Sequence, residues 1–382
     1  MTYPIYLDHN ATTPVDPRVL EAMLPYFTEH FGNAASRTHV FGLNAADAVA
    51  HARQQLADLL NASPVELVFT SGATESINLA LKGVFEANQH RGNHIITVQT
   101  EHKAVLDVCE HLAQLGAEIT YLPPNPDGLV TPEQVAAAMT PATILVSVMW
   151  ANNETGTIQP VEAIAETVHQ HGALFHTDAT QAVGKLLIDL SQTRIDLLSL
   201  SGHKLYAPKG IGALYVRKKT PLIAQQDGGR HERARRSGTL NVPGIVALGK
   251  AAELAQTEML TEAPRLAALR NRLETGILAN FPDVQVNGSR AHRLPNTTNL
   301  AFPNVDGEAL LMSLNEIAVS NGSACTAAST DPSHVLKALG LSDDLAYASV
   351  RFSLGLNSTE ANIDRAIEHV ANVVGRLRVV GV

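Results

Sequence analysis

Two reactive side chains stand where an α/β fold exposes its edges. Lys204 ends the run Ser199-Leu200-Ser201-Gly202-His203-Lys204, directly after an apolar stretch that reads as a strand. A lysine at a sheet edge beside a core is easily desolvated, which lowers its pKa and makes the amine nucleophilic. Cys325 lies in a run of small residues, Ser320 to Thr330, between a predicted strand and a helix beginning near Pro332. A thiol on such a segment would be exposed and able to swing toward a site. A solvated loop lysine and an incidental buried cysteine are the plainer alternatives. Cys109 differs: it falls on the apolar face of a predicted helix and reads as inert core.

Other candidates share the same kind of position. Thr70-Ser71-Gly72-Ala73-Thr74-Glu75-Ser76 follows a strand and opens a helix, so glycine, hydroxyls and a helix N-terminus could cradle a phosphate. A helix cap without a ligand is the other reading. Asp178, in His176-Thr177-Asp178-Ala179-Thr180-Gln181, ends an apolar strand and could pair with a cationic ring nitrogen or cap a loop. His102 follows a strand where a helix begins; it could stack on a planar ring, shuttle protons, or face solvent. Arg351 lies inside a predicted strand, where a guanidinium is usually paired and a substrate carboxylate is a natural partner. Arg230, Arg233, Arg235 and Arg236 read as a solvated loop or an anion site. His169, His171, His176 and Asp178 are a weaker metal candidate, because helix-end and strand positions diverge. Phosphate cradle, carboxylate and lysine at successive strand ends are the set that a lysine Schiff base with pyridoxal phosphate (PLP) needs.

The elements that must position these groups alternate. Strands are predicted at 65–69, 94–98, 117–122, 143–149, 173–177, 195–200 and 212–216, with helices over 77–85, 103–115, 131 onward and 160–171. That alternation argues an α/β domain with a mostly parallel sheet. After about Pro243 the texture changes. Residues 245–280 are helix-forming with a break expected at Pro264, short strands follow at 298–302, 317–320 and 349–353, and a closing helix carries an apolar stripe from Ile363 to Leu377. Asn357 and Glu360 resemble its capping box. The expected organisation is a large α/β domain over 15–260 and a smaller α+β domain over 261–382, joined by the N-terminal segment 1–14.

Composition removes several classes of function. Hydrophobic residues at 45% and charged residues at 17% make a globular chain of 382 residues. A net charge of −9 argues against a broad nucleic-acid surface, so no direct nucleic-acid partner is expected. Two cysteines cannot form a disulfide framework and suit a reducing compartment. With no secretory signal and no apolar stretch long enough for a bilayer, the expectation is a cytoplasmic enzyme without membrane contact. Neither G-x-x-x-x-G-K-[ST] nor G-x-G-x-x-G is present, which weakens NTPase and dinucleotide readings.

Taken in order, the motifs resemble the cysteine desulfurases of the NifS/IscS type, PLP-dependent enzymes of the aspartate-aminotransferase fold (fold type I). The likeness runs through Tyr6 to Thr13, Phe31 to Ser36, Thr70 to Asn78, Glu101-His102, Asn152 to Gly156, His176 to Gln181, Ser201 to Lys204, Arg236 to Thr239 and Gly322 to Thr326. The last block is similar to the active-site loop of the longer-loop branch. Ala34 and Ala207 replace a frequent proline and glycine, and Gly229-Arg230-His231-Glu232 varies from the frequent form. The chain ends at Val382, where housekeeping members often carry a longer tail that contacts the iron–sulfur scaffold.

The resemblance implies that Lys204 holds PLP, that Asp178 pairs with the pyridinium nitrogen, and that Gln181 meets the ring hydroxyl. Ala73, Thr74, Ser201 and His203 would hold the phosphate, with Thr239 reaching in from a second subunit of a homodimer. His102 would stack on the ring and move protons, and Asn153 and Arg351 would hold the substrate carboxylate. Cys325 would take the sulfur of L-cysteine as a persulfide and pass it to an acceptor protein, an iron–sulfur scaffold or a thiolation protein. Alternatives are another fold-type-I PLP enzyme, such as an aminotransferase or lyase for small amino acids, a non-catalytic sulfur carrier, or a metal hydrolase.

Overall fold

A seven-stranded sheet forms the centre of the computed structural model, which describes residues 4–322 and 331–380. In spatial order its strands are Leu67–Thr70, Gly212–Val216, Leu197–Ser201, Leu174–Asp178, Thr143–Ser147, His94–Val98 and Glu118–Leu122. Gly212–Val216 runs against its two neighbours, and the remaining pairs are parallel. Strands such as Thr143–Ser147 are buried at every residue because helices cover both faces. Ala73–Asn88 and Lys103–Gln114 pack one face through Ile77, Leu81, Val84, Val105 and Leu112. Val40–Leu60 and Val161–Gln170 pack the other through Leu56, Leu60, Ile164 and Val168. The expected α/β class and mostly parallel sheet are what the structure contains.

A second apolar cluster surrounds an antiparallel sheet of Ser349–Ser353, Thr297–Ala301 and Gln285–Val286. The closing helix, Glu360–Val380, buries Ile363, Val370 and Val374 against it. Its cap is not Asn357 with Glu360. Thr359 and Asn362 bond each other reciprocally, each side-chain oxygen accepting from the other's amide at 3.2 Å.

Pro264 does not break the helix that contains it; Val242–Asn280 is continuous. A proline removes one hydrogen bond and crowds the carbonyl four residues earlier, here that of Leu260, which is 66% exposed and free to turn to water. The helix bridges both clusters: Ile245, Leu248 and Ala252 belong to the first, Leu266, Leu273 and Ile277 to the second.

The N-terminal segment also connects them. Ile5–Tyr6 pairs in parallel with Ile317–Ala318. The chain then crosses to the large sheet, where the Thr13 amide donates to the His203 carbonyl at 2.9 Å and that of Asp16 to Tyr206 at 3.0 Å. Among the described residues no helix is long and apolar enough to cross a membrane.

Candidate active site

The carboxyl ends of the parallel strands open into a cleft of about 570 Å³. Ala73, Thr74, His102, Asn153, Asp178, Gln181, Ser201, His203, Lys204 and Arg351 all line it. Parallel strands deliver their following loops to one edge, so residues more than two hundred positions apart converge there. Thr239 is exposed and is not among the lining residues. Cys325 lies outside the described residues. Gly322, three positions earlier in the sequence, lines the cleft.

Lys204 is half-buried, and its Nζ donates to the carbonyls of Asn10 and, at 2.6 Å, Ala11. The sequence offered no sign of this grip, because any residue supplies a carbonyl. Asn10 is itself tied across the molecule. Its Nδ2 donates to Thr297 Oγ1 at 2.9 Å and to the Asn153 carbonyl at 3.1 Å, and its carbonyl accepts from Gln181 Nε2 at 2.9 Å.

Asp178 is buried, and its Oδ1 accepts from the Thr180 amide at 3.0 Å. It therefore caps its loop and lines the cleft at once, and the two readings of the sequence coexist. Glu101 is buried close by. Burial, then the charge of Asp178, push its carboxyl well above the usual range. Its Oε1 accepts from the Met149 amide at 2.6 Å.

His102 likewise fills two roles. It caps the Lys103–Gln114 helix, Nδ1 accepting from the Ala104 amide at 3.1 Å, which leaves Nε2 to carry the proton of the neutral ring. His203 is neutral too: burial, then Lys204, Lys209 and Lys185, lower it to about 4. Its Nδ1 lies 3.1 Å from Thr12 Oγ1.

At the other end, Gly72 precedes the Ala73–Asn88 helix. A Cβ at Gly72 would lie 3.5 Å from Ser201 Oγ, inside the hollow between the helix N-terminus and that hydroxyl. Free amides of a sixteen-residue helix, a serine hydroxyl and a neutral imidazole around an open hollow suit a phosphate. The Asp178 carboxylate suits a pyridinium nitrogen and the Lys204 amine an aldehyde. The residues present fit PLP.

Arg351 is 3% exposed in its side chain. Nη2 donates to Asp8 at 2.6 Å and Nη1 to the Asn153 carbonyl at 3.0 Å, while the buried Nε has no partner among the described residues. Glu154 was not singled out from the sequence. It is buried under the cleft rim, accepts from Ser333 Oγ at 2.5 Å, and would collide with any Cβ at Gly322, whose φ is +90°. It thus holds Ser333, which follows the Cys325 segment, and packs against Gly322, which precedes it.

The remaining candidates are committed elsewhere. His176 is buried between Ser147 at 2.8 Å and Ser199 at 2.9 Å, His169 bonds Asp196, and His171 bonds the Thr167 carbonyl. The basic cluster is not simply solvated. Arg236 pairs with Glu75 at 2.7 Å and Arg233 donates to the Leu67 carbonyl. Cys109 is buried, its thiol pushed up to about 12 by burial and then Glu101.

The Aminotransferase class-V family matches residues 5–366. The chain is 54% identical over 380 residues to a protein of Anaeromyxobacter dehalogenans named cysteine desulfurase IscS, covering 99% of this chain and 94% of that one. It is 55% identical over 382 residues to the Escherichia coli protein of the same name, with the same coverage. Among solved structures, a NifS-like protein superposes with a TM-score of 0.92 at 38% identity, covering 98% of this chain and all of that one. SspA in complex with cysteine gives 0.82 at 40% identity, covering 92% and 98%. The chain belongs to the aminotransferase class-V family.

Proposed function

We propose that this cleft carries out cysteine desulfuration, with Lys204, His102 and Cys325 as its catalytic residues. The chain is a PLP-dependent cysteine desulfurase that converts L-cysteine to L-alanine. One observation carries the site assignment: Lys204, Asp178 and the Gly72–Thr74 turn meet in one cleft whose rim is Gly322.

Ala73, Thr74, Ser201 and His203 hold the cofactor phosphate, Asp178 its ring nitrogen and Gln181 its ring oxygen. Bound PLP supplies an electron sink for the pair released at the substrate Cα. Lys204 would be the base that takes the Cα proton and returns one at the β-carbon, and His102 would support these transfers. The Cys325 thiolate attacks the substrate sulfur: an S–S bond forms, the C–S bond breaks, and its electron pair stays on what becomes alanine. A thiol reductant then releases sulfide and is itself oxidised to a disulfide. With L-cysteine and excess dithiothreitol, alanine and sulfide are expected in equal amounts. Alanine without sulfide, or neither, would overturn the reading.

Asn153 and Arg351 hold the substrate carboxylate. Lysine at 351 keeps the charge but loses the planar fork. Arg351→Lys is expected to raise KM for L-cysteine about tenfold to a hundredfold, since hydrogen bonds to a charged group contribute about 1.5–3 kcal/mol. Steady-state kinetics checks this; an unchanged KM would remove Arg351 from substrate binding.

We take residues 15–260 as the PLP-binding domain and 261–382 as the small domain, joined by segment 1–14. The working form is a cytoplasmic homodimer. Exposed Phe27, Phe31, Val40 and Phe41 support a pairing surface, the Phe31 and Phe41 rings lying 5.4 Å apart. Exposed Thr239 would then serve the partner's cleft. The persulfide passes to an acceptor protein of iron–sulfur assembly or another thiolation pathway.

A further inference from the structure

Among the described residues Lys185 has no counter-ion. It lies beneath the cleft, one residue after Gly184, and Nζ donates to two oxygens of a single residue: the Gln181 carbonyl and Gln181 Oε1, each at 3.1 Å. It borders a cavity together with His9, Asp16, Lys204, Tyr206, Glu258 and Glu262. The carboxylates there are committed to arginines, Asp16 and Glu258 to Arg18 and Glu262 to Arg265. A sheltered ammonium without a carboxylate destabilises a fold. Core stability therefore does not account for a lysine here, whereas a role in the site does.

We propose that Lys185 is a positioning residue that fixes the orientation of the Gln181 amide. A side-chain amide has two nearly isosteric orientations, one presenting NH₂ and the other oxygen. As an ammonium Lys185 can only donate, so it claims Oε1 and, with the acceptor-only Asn10 carbonyl, holds Nε2 on the opposite side. There Nε2 donates to the Asn10 carbonyl at 2.9 Å, the same carbonyl that accepts from Lys204. Lys185, Gln181, Asn10 and Lys204 thus form one chain of hydrogen bonds with a single polarity. Burial, then the neighbouring Lys204, lower the Lys185 ammonium to about 7. A neutral amine still has two protons for its two Gln181 acceptors, so the observed bonds remain available after that change of charge.

The consequence rests on the reading that Lys204 links to PLP and Gln181 meets the ring oxygen. An amide N–H on that oxygen stabilises its anion and so favours loss of the shared proton of the PLP–Lys204 linkage. Losing the fixed donor raises the pH at which that proton leaves. The linkage is also faced from the cleft by His102, Asp178, His203, Lys209, Arg351 and Glu75, which every variant compared below retains.

The test is a pH titration of the yellow absorbance of PLP-loaded parent, Lys185→Met, Gln181→Leu and the double variant. Lys185→Met is expected to raise the midpoint by about one pH unit, the size of one such hydrogen bond. Lys185→Arg, which keeps donors and charge, is expected to stay near the parent. In the Gln181→Leu background, Lys185→Met is expected to add no shift. An unmoved midpoint in Lys185→Met overturns the proposal. So does an equal shift in the Gln181→Leu background, which would make Lys185 act by its own charge. If Lys185→Met does not fold, Lys185→Gln takes its place, one remaining donor predicting a smaller upward shift and no shift overturning the proposal. A Lys204→Ala variant whose yellow band titrates with the parent's midpoint would instead overturn the underlying site reading.

Discussion

Lys204→Ala abolishes desulfuration, by a factor on the order of a thousand or more, as expected when a covalent nucleophile that also moves protons is removed. Nζ is aimed by the Asn10 and Ala11 carbonyls, and these are backbone atoms that survive the substitution. The variant should therefore fold and keep its phosphate and ring contacts. What it loses is the group that bonds the cofactor and transfers the proton. Borohydride reduction followed by mass spectrometry is expected to find the PLP increment on the Lys204 peptide of the parent and nowhere on the variant. Lys204→Arg is expected to be as inactive, because a guanidinium stays protonated and is no nucleophile. Turnover within tenfold of the parent would remove Lys204 from the chemistry.

Cys325→Ala is expected to stop alanine and sulfide release by a comparable factor while leaving the yellow band and its response to L-cysteine intact. The two variants thus fail at different stages. Alanine at 325 removes the attacking thiolate and none of the residues that line the described cleft. Cys109 cannot substitute for it, since a buried thiol pushed up to about 12 provides almost no thiolate at neutral pH. The expected persulfide places one extra sulfur on the Cys325 peptide of the parent after L-cysteine, absent when reductant is added. Unchanged turnover in Cys325→Ala would favour an aminotransferase or lyase reaction instead.

Much of the fold was legible along the chain. His94–Val98 and Gly212–Val216 begin and end where periodicity placed them, and the Thr131 and Gln134 cap is formed. Periodicity is a local record of which faces are buried, so it can be read without the partner surfaces. It misled at Pro264, where a local rule against proline was outweighed by a helix packed on two cores at once. It misled also at the last helix, where the reciprocal bonds form between Thr359 and Asn362 and not between Asn357 and Glu360.

By itself the sequence determined the order of strand ends, and so which of Thr74, His102, Asp178, Ser201 and Lys204 could share an edge; parallel strands leave no other arrangement. Only the tertiary structure decided what holds them. The grip on Lys204 consists of carbonyls, which every residue type possesses. The roles of Glu154 and Lys185 depend on burial among neighbours remote in sequence, at Ser333 for one and beside Lys204 for the other. A charged side chain reads along the chain as surface. Its meaning changes only when folding takes away its water, and that depends on everything packed around it.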